Sequence, residues 1–121
     1  MIVPLLEKAI ASRNTLFEAL HESAFRLFNG FYEGYPDLAL DIYGHTLVIH
    51  DYADDPSQNQ SSIQEVVNYL RTSLNWIRAG ILKTRNSVIQ AEKKGLLIFG
   101  DKADTKIKEH GIWYAIHLTM N

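Results

Sequence analysis

Five histidines, one aspartate inside an apolar strand pattern and several basic residues near aromatic rings are the side chains of this sequence that could do chemistry. The histidines are His21, His45, His50, His110 and His117. None is spaced as His-x-x-x-His or another compact ligand pattern, so each reads as a structural or surface residue. Asp41 lies between Leu40 and Ile42. A carboxylate in such a place must be paired or hydrogen-bonded, and Arg26, Arg85 or turn N–H groups are the expected donors. Glu33 and Asp37 read as solvated, and Arg13 as lying at the core edge with its guanidinium free. The chain has no cysteine, which removes a disulfide, a cysteine zinc site and a thiol nucleophile from this segment. Gly30 and Gly34 lack the third glycine and the strand-to-helix context of a dinucleotide loop. No catalytic, cofactor-binding or metal residue is therefore assigned.

Arginine beside a flat ring can hold phosphate or stack on a base. Arg26 follows Phe25, and alternation puts Lys83 and Arg85 on one strand face. Lys93 and Lys94 add charge in a polar stretch. These five are the candidate RNA contacts. The formal charge is -2, from 12 Lys+Arg and 14 Asp+Glu. That balance argues against an autonomous tight nucleic-acid binder and leaves room for a few contacts inside a larger protein.

The elements that must position these residues follow from hydrophobic period. Leu6, Ile10, Phe17 and Leu20 predict a helix from about Pro4 to Leu20. Ala24 to Phe28 predicts a short strand, with Phe25 and Leu27 on one face and Ala24, Arg26 and Phe28 on the other. An aromatic loop, Phe31 to Asp37, follows. Alternation over Leu38 to Tyr43 and again from Leu47 toward Tyr52 predicts a hairpin turned at Gly44-His45. Residues 53–60 read as an exposed loop. Ser62 and Glu65 have capping-box spacing, and Ile63, Val66, Val67, Leu70, Leu74 and Ile77 carry a helix that stops at Gly80. Ile81 to Arg85 returns to strand, so Leu47 to Arg85 reads as a right-handed crossover. A terminal hairpin spans residues 105–120, with Ile112 to Thr119 alternating as its second strand. The fold class expected is α+β: a small mixed, largely antiparallel sheet with hairpins, packed by two main helices.

The run from Ala24 to Gly44 resembles a segment of the class I methyltransferases that make 5-methylcytosine in 23S ribosomal RNA, and their close relatives. Arg26, Leu27 and Gly30 fit a strand ending in an Arg-Leu-x-x-Gly-like run. Glu33, Gly34, Pro36 and Leu38 fit the loop after it, and Asp41, Tyr43 and Gly44 fit the end of the next strand. Gly80, Ile81 and Arg85 match more weakly, as do Ile107, Glu109, Gly111 and Tyr114. Asp37 stands where a glycine is common. The resemblance implies that Gly30, Gly34, Pro36, Asp41, Tyr43 and Gly44 shape a loop and cleft.

The resemblance further implies an accessory N-terminal domain, residues 1–121, preceding a Rossmann-like catalytic domain that holds S-adenosylmethionine through a glycine-rich loop. Ribosomal RNA and a homodimer are the other partners it implies. The terminal strand is still running at Asn121, which reads as a boundary between domains. The alternative reading is an independent RNA- or protein-binding scaffold module without enzymatic activity; a standalone enzyme lacks a visible nucleophile–base set. No apolar run approaches the roughly 18 residues of a membrane helix, and a cytoplasmic protein with no membrane partner is expected.

Overall fold

The structure, a computed structural model, describes residues 1–120. Five strands form one sheet in the order β1-β2-β3-β4-β5: β1 (Ala24–Asn29), β2 (Leu38–Tyr43), β3 (Thr46–Asp51), β4 (Ala79–Thr84) and β5 (Leu96–Phe99). Every neighbouring pair is antiparallel except β3 and β4. A separate hairpin pairs β6 (Lys106–Glu109) with β7 (Ile112–Ala115). The helices are α1 (Val3–Ser12), α2 (Gly30–Glu33), α3 (Gln60–Ser73) and α4 (Gln90–Lys94). The fold is a small α+β domain with a mixed, mostly antiparallel sheet packed by helices.

One face of the sheet carries the main core. Leu38, Leu40, Ile42, Leu47 and Ile49 alternate toward it and meet Leu6 of α1 and Ile63, Val66, Val67 and Leu70 of α3. Full burial of a side chain such as Leu70 contributes about 1.5–3 kcal/mol. The crossover from β3 through α3 to β4 is parallel because α3 covers the sheet between the two strands. The opposite face has a smaller core, Val48, Ile81 and Leu118, under the C-terminal segment.

Several expectations are corrected. The first helix ends at Ser12, followed by a single 3-10 turn over Asn14–Leu16. Arg13 is its C-cap, and the Arg13 side chain bonds the Arg26 carbonyl and both oxygens of Glu33. Arg13 is thus not free, and Glu33 is not simply solvated. The Arg13 guanidinium holds the Glu33 carboxyl below its usual range, against a smaller opposing effect of burial. The aromatic loop begins as the short helix α2, whose first residue has no space for a side chain. A Cβ on Gly30 would lie 1.9 Å from the Tyr35 carbonyl oxygen.

Phe28 does not share a face with Arg26. The β1–β2 register slips between them, so Leu27 and Phe28 both enter the core. The capping box is not formed either. Helix α3 starts three residues early, with Asn59 at its N-cap, and Ser62 bonds the Tyr35 hydroxyl instead. Asn59 spends its amide on Asp51 and Asp37. The helix ends at Ser73, short of Gly80. Gly80 lies within β4, where a Cβ would meet the Phe99 ring at 2.1 Å. The final strand stops at Ala115, so His117 is not on a strand face; the chain bends there and lays Leu118 on the sheet.

Candidate functional site

Alternation along β2 and β3 places Asp41, Tyr43, Val48 and His50 on the sheet face away from α1 and α3. Arg26 pairs with Asp41 across β1–β2, and Lys83 pairs with His50 across β3–β4. Arg85 follows β4, its N–H extending the ladder to the Asp51 carbonyl. Three strands and the residue after a fourth therefore deliver four polar side chains to one patch.

Those side chains are joined in series. Arg26 Nε and Nη2 donate to the two oxygens of Asp41 at 2.7 and 3.0 Å. His50 Nε2 lies 2.9 Å from Asp41 Oδ2, and Arg85 Nη2 lies 2.9 Å from His50 Nδ1. A guanidinium only donates, so Nδ1 accepts and Nε2–H donates to Asp41. The hydrogen bonds thereby select one His50 tautomer. Burial pushes the Asp41 carboxyl up, but the bonds from His50 and Arg26 outweigh it and hold the group below its ordinary range. The bond to Asp41 raises Arg26 in turn. Arg85 Nε is buried without a hydrogen-bond partner among the described residues.

The network is open at its Arg26 end and is flanked by an exposed ring at His50. The Arg26 side chain is 44% exposed. The Tyr52 ring stacks on His50 at 6.1 Å with 15° between planes, and Tyr52 is itself exposed. A cavity of about 370 Å³ touches Arg26, Asp41 and Tyr43, bounded by Ile107 and Glu109 of the terminal hairpin. A second, of about 270 Å³, touches Tyr43, His50, Lys83 and His117. Burial raises the Tyr43 hydroxyl, with Asp41 adding to it.

The other residues singled out from sequence fall elsewhere. Lys83 shares the face but is buried and donates to the Met120 carbonyl at 2.7 Å. Burial and then Arg85 push its ammonium down. Lys93 and Lys94 lie on α4, which packs against β4, while Arg26 stands on β1 at the edge of the sheet. Gly30, Gly34 and Pro36 form the β1–β2 connection, and Gly34 faces Leu5 of α1 on the helix side. Gly44 turns β2 into β3 at φ 63, and a Cβ there would press on the Asp104 carboxylate at 2.4 Å. That carboxylate accepts from Thr46 Oγ1 at 2.6 Å and from the His45 N–H at 3.2 Å, tying the chain before β6 to the hairpin turn.

Sequence reasoning did not assign His50 and Tyr52 to the site. The signal for His50 was present. With the turn at Gly44-His45, Tyr43 pairs with Thr46, which puts His50 diagonal to Asp41.

No family model matches the chain, and no curated protein matches it. Two solved structures share its architecture. One, from Streptococcus mutans, is described as a candidate SAM-dependent methyltransferase; it is 20% identical with a TM-score of 0.72. The other is described as SMU.776, a candidate methyltransferase complexed with SAH; it is 22% identical with a TM-score of 0.74. The chain has the fold of part of each. Each alignment covers 93% of this chain and 28% of the solved chain, so this chain spans little more than a quarter of their length. Among the described residues no helix is long and apolar enough to cross a membrane.

Proposed function

We propose that this chain is the substrate-positioning, non-catalytic N-terminal domain of an S-adenosylmethionine-dependent RNA methyltransferase. A Rossmann-like domain after it would hold the cofactor and carry the chemistry. Ribosomal RNA cytosine is the substrate favoured by the resemblance over Ala24–Gly44. The observation that carries the reading is the pair Arg26 and Arg85, fixed through Asp41 and His50 beside the exposed Tyr52 ring. Guanidinium groups held in place lose less freedom on meeting phosphate. A neighbouring ring face suits an unpaired base. The likeness in fold to methyltransferases supplies the enzymatic context.

Binding of ribosomal RNA to the chain tests this, with Arg26→Ala and Arg85→Ala as comparisons. Loss of one phosphate contact should weaken binding and lower the dependence on salt. Unchanged affinity in both variants, with the fold intact, would remove this face from the RNA path. Labelled S-adenosylmethionine should bind the protein that includes the following domain and not residues 1–121 alone; tight binding to the chain itself would overturn the division of labour.

A further inference from the structure

The β6–β7 hairpin has two unlike faces. Pairing of Ile107 with Tyr114 and of Glu109 with Ile112 puts those four on one side, where Ile107 meets the sheet and Ile112 and Tyr114 are exposed. Ile107 is buried, and with Glu109 it closes the cavity over Arg26 and Asp41. Pairing of Lys108 with Trp113 and of Lys106 with Ala115 puts these four on the outer side. There the Trp113 ring is 45% exposed. Lys106 Nζ stands 4.5 Å from its centroid and Lys108 Nζ 5.5 Å.

Neither lysine belongs to an ion pair among the described residues. Lys106 also borders a groove of about 390 Å³ shared with Arg78 and Lys102. Of the two acids in that groove, Asp104 is already engaged by Thr46 and His45. The outer face therefore presents a half-exposed indole with the two ammonium groups of the neighbouring strand lying over its ring, neither of them held by a carboxylate among the described residues. Apart from Ala115 it has no apolar neighbour on its own face, which does not suit the centre of a protein interface. Two lysines at i and i+2 of a strand are about 6.7 Å apart along the chain, a spacing suited to successive phosphates of an extended single strand. Single-strand binding sites combine these two elements, a stacking ring and a cationic track.

We propose that Trp113, opposite Lys108 and diagonal to Lys106, is a stacking platform for an unpaired RNA base, with the two ammonium groups moving from its ring to the adjoining phosphates. This rests on the reading of the chain as an RNA-handling domain and adds to it a second contact surface, on the side of the hairpin away from Arg26.

The test is titration of the whole chain with short dye-labelled oligoadenylate, followed by the anisotropy of the label for every variant and by tryptophan fluorescence for wild type, with polyglutamate as an acidic non-nucleic control. Wild type should be quenched by the oligonucleotide and not by polyglutamate. Trp113→Ala should weaken binding about 5- to 150-fold, the value of one stacked base, while Trp113→Phe keeps most of it. Lys106→Ala and Lys108→Ala should each lower the salt slope by about 0.7. Because Trp113 is half-exposed, circular dichroism of Trp113→Ala should match wild type. If Trp113→Ala binds like wild type while Arg26→Ala does not, the platform is wrong and the sheet-face reading stands. If wild type binds no RNA, both are wrong. Equal binding of polyglutamate without quenching would replace the base with an acidic protein partner.

Discussion

His50 donates to Asp41 across 2.9 Å from a diagonal position on the neighbouring strand, and the other nitrogen of its ring accepts from Arg85. One imidazole thus connects a carboxylate on β2 to a guanidinium beyond β4. Asp41 receives Arg26 directly and Arg85 only through His50. The carboxylate is largely buried, so its partners depend on it as much as it depends on them.

Asp41→Ala should destabilise the fold by about 2 kcal/mol. Breaking a buried pair by removing one partner costs about 3–5 kcal/mol, reduced here because Arg26 is partly exposed and can be solvated. The shift of the urea midpoint measures this. A change below about 0.5 kcal/mol, the usual range for ordinary surface positions, would mean that the network does not support the sheet.

The same carboxylate sets a pH dependence. Its folded-state pKa lies below the ordinary 3.8, because the bonds from His50 and Arg26 exceed the effect of burial. The unfolded chain therefore binds the proton more readily. The stabilisation is fully present above the unfolded value and is lost as pH falls through the folded one. Urea unfolding between pH 6 and pH 3 should show a steeper loss in wild type than in Asp41→Asn. Parallel curves would exclude Asp41 as the source. Glu33, lowered by Arg13, contributes with the same sign.

Gly30→Ala should be among the most damaging small substitutions. The added methyl would lie 1.9 Å from the Tyr35 carbonyl oxygen and 2.3 Å from that of Leu38, both backbone atoms that cannot swing away. A loss of about 2–3 kcal/mol is expected from such overpacking. Thermal unfolding of the purified variant checks it, and a melting temperature equal to wild type would show that α2 can shift to make room.

Ser62 and Glu65 separate two accounts of the start of α3. A capping box would make both costly. Here Ser62 bonds Tyr35, while Glu65 is exposed and outside the N-terminal turn bonding. Ser62→Ala should cost about 1 kcal/mol and Glu65→Ala less than about 0.5 kcal/mol. Equal losses in chemical denaturation would restore the box.

The sequence alone determined the α+β class, strands β1 to β4, the hairpin at Gly44, the crossover through α3 and the start of the terminal hairpin. Period 2 and period 3.6 are written into neighbouring residues, and a turn such as Gly44-His45 also fixes register. It determined that Asp41 needed a partner, because a carboxylate among apolar neighbours does. Helix ends were another matter. Arg13, Asn59 and Ser62 each have more than one local use, and the choice was made by Glu33, Asp51 and Tyr35, residues distant in sequence. Arg26 was among the partners expected for Asp41, but only the tertiary structure placed His50 between Asp41 and Arg85 and buried Lys83 under Met120. Spacing along the chain encodes which face a residue takes on its own element; which elements lie side by side is decided by burial of the whole apolar surface at once.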